Sequence, residues 1–66
     1  MLNIGDKVIG VWGAMFPEDA GEIVKINHDD TVTIMFDDGA VKVMDQDDIR
    51  DDYFTPVGSP IGIYLV

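Results

Sequence analysis

The side chains able to do chemistry in these 66 residues are mostly carboxylates and a few aromatic rings. Trp12, Phe16 and Phe36 are candidate apolar walls, and Asp37 and Asp38 directly follow Phe36. Ring faces attract a cation through their quadrupole, and a neighbouring carboxylate adds a charge-assisted hydrogen bond. These five residues are therefore a candidate binding site for a Lys or Arg side chain. The single histidine, His28, stands between Asn27 and Asp29 in a polar turn, where an exposed ring with no catalytic partner is expected. General acid–base chemistry needs paired groups in a water-excluding cleft. No Ser–His, Cys–His, HExxH or phosphate-cradling glycine pattern occurs, so no catalytic residue is assigned and no enzyme is expected. The acidic run 45–52 invites a calcium reading, because hard cations take carboxylate oxygens. The EF-hand pattern fails at Ile49 and Arg50, and its closing acid falls on Pro56, so neither a metal nor a cofactor is expected.

Thirteen acidic residues face four basic ones, for a formal net charge of −9. Such a field repels phosphates and anionic headgroups, so direct binding to nucleic acid or to a membrane surface is not expected, and cationic partners are favoured. Eleven of the acids are Asp, a turn former and a poor helix former, which suits short strands and tight turns. With no cysteine, neither a disulfide nor a thiolate metal site can supplement the core. The start MLNIGDKV carries no basic leader, and the longest nearly apolar segment, 60–66, is far too short to cross a bilayer. A single complete domain over 1–66, cytoplasmic and soluble, is the expectation.

The elements that must position the site are short. KVIGVW reads as a first strand, and residues 13–21, broken by Pro17 and two glycines, as a loop. EIVKIN, 22–27, is a second strand, and His28-Asp29-Asp30 turns into TVTIMF, 31–36. Strict alternation there, followed by Asp37-Asp38-Gly39, predicts a hairpin into 40–44. The polar run 45–52 predicts a short helical turn with Ile49 directed to the core, and 60–66 supplies a last strand. Apolar side chains on both faces of the first strand fit a bent strand shared by two sheets. The expected fold is all-β: a small five-stranded SH3-like barrel with a short helical turn before the last strand, closed because an open sheet this small leaves bare edges.

GDKVIGVW, GEIVKI, DTVTIMFDDG and DIR, in that order, resemble the Tudor group of SH3-like barrels, with Agenet and KOW-type domains as near relatives. Gly5, Asp6, Trp12, Gly21, Ile23, Ile26, Val32, Ile34, Phe36, Asp38, Gly39 and Ile49 carry the likeness, which covers 3–50. The resemblance implies a protein-interaction module, in some members a reader of methylated side chains through an aromatic cage. Carried over, Trp12 matches the strand-one aromatic and Phe36 the strand-three aromatic. The second-strand aromatic falls near Asp19 or Ala20, and the aromatic before the turn glycine is replaced by Asp38.

Two readings of the rings stand side by side. Phe36 shares parity with Val32 and Ile34, which makes it core as readily as wall, while Phe16, in Met15-Phe16-Pro17, belongs to an exposed loop. The leading functional expectation is a module that binds a basic or neutral protein segment at Trp12, Phe16, Phe36, Asp37 and Asp38. Its rivals are an acidic decoy that imitates nucleic acid and a structural subunit that pairs with a second copy through 60–66.

Overall fold

The computed structural model describes residues 2–13, 15–55 and 58–66. Six strands form one sheet: β1 (Lys7–Val11), β2 (Asp19–Ile26), β3 (Thr31–Phe36), β4 (Val41–Asp45), β5 (Ile49–Arg50) and β6 (Gly62–Leu65). A single 3-10 turn, Gln46–Asp48, separates β4 from β5. The strands lie in the order β4-β3-β2-β1-β6-β5, all antiparallel except the β5–β6 pair. The two ends of this order, β4 and β5, are thus joined by only three residues. A flat sheet would hold them about 24 Å apart, five strand spacings, whereas that connection spans at most about 14 Å. The sheet must curl, and the result is a small, barrel-like half-cylinder whose edge strands β4 and β5 share no hydrogen-bonded ladder among the described residues.

The third strand and its hairpin follow the sequence pattern. Val32, Ile34 and Phe36 are buried on the concave face, while Met35 is exposed on the other. The loop 37–39 is closed by Phe36 N–H to Ala40 O at 2.8 Å and Gly39 N–H to Phe36 O at 2.9 Å. Gly39 takes φ 90°, the left-handed position that follows a type I turn in a three-residue hairpin loop. Across the curl, Val8, Ile23, Val32, Ile34, Phe36 and Ile63 form the core, with Leu2, Trp12, Met44, Ile49 and Leu65 packed at its margin.

Three expectations are corrected. First, there are six strands rather than five. The run 45–52 gives a turn of three residues, capped by the Asp45 carboxylate on the Asp47 N–H at 2.9 Å. The chain then extends, because Ile49 and Arg50 pair in parallel with Ile63 and Tyr64. Second, β2 begins at Asp19, inside the stretch 13–21 that its glycines and proline mark as a loop. Gly21 is strand here because Phe36 lies over it: a Cβ at Gly21 would sit 2.8 Å from Phe36 Cδ1. Third, the two-faced burial of β1 comes from one sheet, not two. Val8 and Gly10 face the core, whereas Ile9 and Val11 share the opposite face with their partners Tyr64 and Gly62. At Tyr64 that face is covered by Arg50, Tyr53 and Pro60. Tyr53 meets the Tyr64 ring edge-on at 5.7 Å, the Arg50 guanidinium lies 5.4 Å from its centroid, and the Tyr64 hydroxyl donates to Pro60 O at 2.6 Å. Tyr64 is fully enclosed as a result. The last strand is therefore ordered within its own sheet, between β1 and β5, and its side chains divide between two faces, Ile63 in the core and Tyr64 behind it, while Ile61, just before the strand, is exposed.

Candidate functional site

Trp12 follows directly on β1, and its indole folds back across the strand. The space it occupies exists because residue 10 is glycine: a Cβ there would lie 2.5 Å from Trp12 Cζ2. Gly10 pairs with Asp19 on β2, and the Asp19 carboxylate accepts the indole N–H at 2.7 Å. Phe36 completes the arrangement edge-on, with centroids 6.1 Å apart and ring planes at 63°. One glycine, one carboxylate and a second ring thus fix the half-buried indole.

The structure brings Trp12 and Phe36 together and assigns them different surroundings. Phe36 is 6% exposed and belongs to the core cluster, so its ring faces inward rather than out to solvent. Among the described residues no cavity opens between the two rings. Asp37 and Asp38 are exposed on the loop after β3. The Asp37 N–H donates to Ala20 O at 2.9 Å, and the Asp38 carboxylate accepts the Ala40 N–H at 2.9 Å, closing the turn. Lys7, on β1, has its pKa raised chiefly by its hydrogen bond to Glu22 at 2.8 Å, then by the Glu22 charge, with a smaller part from the Asp37 charge.

Phe16 stands apart from both rings. It is 64% exposed on the loop between β1 and β2, and among the described residues its ring stacks on no other. A methyl at Gly13 would sit 3.8 Å from Phe16 Cδ2 and 3.9 Å from Ile61 Cδ1, so Phe16 and Ile61 flank Gly13 next to Trp12. With the exposed Met15, they make an apolar surface at the end of β1. Acids border it. Glu18 accepts from the Tyr53 hydroxyl at 2.7 Å and raises the Tyr53 pKa through that bond, and Asp19 carries the indole bond.

Asp19, Met15 and Ile61 are the residues that reading for a cage leaves out. Asp19 lies, with Ala20, near the place where the resemblance asks for an aromatic, and its pairing with Gly10 and its bond to the indole show that it supports Trp12 instead. Ile61 joins the patch from just before β6, distant in sequence, so no local signal marks it. Two further carboxylates are tied into separate turns. Asp29 accepts from the Thr31 hydroxyl at 2.6 Å, which lowers its pKa, and Asp52 pairs with Arg50 at 2.7 Å, which lowers its own. No family model, curated protein or solved structure matches the chain.

Proposed function

We propose that this protein is a non-enzymatic interaction module of SH3-like, Tudor-related type that binds a basic or neutral protein segment at the Trp12 end of the sheet. The observation that carries the reading is the exposed trio Met15, Phe16 and Ile61 beside the anchored indole, with Glu18 and Asp19 at its border. Such a surface offers apolar contact at its centre and carboxylates for an incoming Lys or Arg. The strand order β4-β3-β2-β1-β6, with a 3-10 turn after β4, supports the SH3-like assignment. Phe36 then acts from beneath by holding the indole, and Asp37 and Asp38 contribute long-range attraction rather than contact.

The decoy reading needs carboxylates in a row. Asp29, Asp38, Asp45 and Asp52 are instead engaged in four separate turns or pairs, which favours the module. The test is a titration with Lys- and Arg-containing peptides read by Trp12 fluorescence. Phe16→Ala should abolish the response without lowering the melting temperature, since the ring is exposed, and added salt should weaken binding by screening the −9 field. A Phe16→Ala variant that binds as the parent does would overturn the proposal.

A further inference from the structure

A second surface, three strands away from the Trp12 end, lies along β4 at the free end of the sheet order. Bonds at both ends of the β3–β4 ladder define which groups it exposes. Phe36 N–H reaches Ala40 O at 2.8 Å, and Gln46 N–H reaches Asp30 O at 3.0 Å. In an antiparallel pair, bonded and unbonded partners alternate, so Lys42 and Met44 direct their backbone groups to β3. Val41, Val43 and Asp45 direct theirs outward, where among the described residues no strand stands.

The side chains of that edge are apolar on one face. Val41 is 58% exposed and Val43 59%, and Met35 on β3, opposite Val41, is 47% exposed. Carboxylates bracket the strand at both ends: Asp37 and Asp38 before it, Asp45, Asp47 and Asp48 at its close. This arrangement rejects a second copy of the chain. Paired in parallel, two β4 edges would set each acidic end against its equivalent. Paired antiparallel, the 37–38 end of one would meet the 45–48 end of the other, and the charge of −9 on each copy would add to the repulsion. Lys42, exposed on the core side of the edge, further discourages flat pairing of identical strands.

We propose that β4 accepts an extended segment of another protein as a seventh strand, a segment with alternating aliphatic residues between two basic ends. Its backbone would pair with Val41, Val43 and Asp45, its aliphatic side chains would cover Val41, Val43 and Met35, and its Lys or Arg residues would meet the carboxylates at either end. The basic residues would bracket about five extended positions, the length of β4.

The probe is a capped peptide, Lys-Lys-Val-Thr-Val-Thr-Val-Lys-Lys, titrated into the isotope-labelled full chain. The amides of Val41, Val43 and Asp45 should shift and gain protection from exchange, and a Glu-for-Lys peptide should not bind. N-methylating alternate peptide residues gives two versions. One set of amides faces β4 and the other faces solvent, so one version should lose at least tenfold in affinity and the other should bind nearly as before. Val43→Pro, which removes an outward N–H while sparing the ladder to β3, should lose at least tenfold. If that variant does not fold, the two N-methyl versions decide alone. Absence of binding overturns the proposal, as does equal binding of both N-methyl versions. So do shifts confined to the Phe16 loop, or a dimer through 41–45 that appears when salt is raised.

Discussion

Asp19 accepts the indole N–H of Trp12 at 2.7 Å and stands directly across from Gly10, the residue over which that indole lies. One strand register thus supplies both the space for the ring and the acceptor for its nitrogen. Removing either partner should leave the other polar group half-buried and unsatisfied. Trp12→Phe and Asp19→Ala should each cost about 1–2 kcal/mol, and the double variant should cost clearly less than their sum. Urea unfolding of the four proteins measures it; strict additivity would mean the bond contributes nothing.

The glycines under the rings give a second expectation. Gly10→Ala puts a Cβ 2.5 Å from Trp12 Cζ2 and must displace the indole, costing about 1–3 kcal/mol and shifting its emission to the red. Gly39 is the contrasting case, because a Cβ there meets nothing within 4 Å. Gly39→Val should still cost about 1 kcal/mol or more, from the φ of 90° alone. Its Trp12 emission should be unchanged, which separates backbone strain from ring displacement.

Tyr53 sets an alkaline limit on the chain segment that covers Tyr64. Its hydroxyl donates to Glu18, and that bond raises its pKa above the ordinary 10.0. The protonated form is the one favoured in the folded state. Its contribution is therefore fully present below pH 10 and is lost as pH rises through the raised value. Absorbance titrations of the parent and of Tyr53→Phe should differ by a phase that ionises above pH 10, the Tyr53 phase.

Deleting residues 60–66 should unfold the protein rather than trim it. β6 pairs with β1 on one side and β5 on the other, and it contributes both Ile63 to the core and Tyr64 behind it. Even the smaller change Ile63→Ala should cost about 2–5 kcal/mol, since the side chain is 2% exposed. A truncated chain with an intact circular-dichroism melt would refute this placement.

What the sequence discloses is what its neighbours in sequence decide. β3 and its hairpin were legible because alternation, Asp-Gly and the left-handed glycine are all local signals. The start of β2 was not, because Asp19-Ala20-Gly21 has little strand preference and extends only by pairing with β1 under the Phe36 ring. β5 was hidden for the same reason: Ile49 and Arg50 are held by parallel partners fourteen residues later in the chain. At the site, the parity of Phe36 with Val32 and Ile34 already pointed to the core, and its 6% exposure agrees. The role of Asp19 could not be read, because it depends on which residue faces Gly10.

The place of β6 in the strand order also governs when the protein can form during synthesis. β2, β3 and β4 are joined by short turns and can pair as soon as they are made. β1 is made first, yet one of its two neighbours is the strand made last, and β5 has no partner until then. Until residues 62–65 emerge, the growing chain carries a three-stranded meander, bordered by a half-paired β1 and an unattached acidic segment. Its negative charge then guards the nascent chain, keeping unfinished copies apart until the final strand slots between the earliest one and β5.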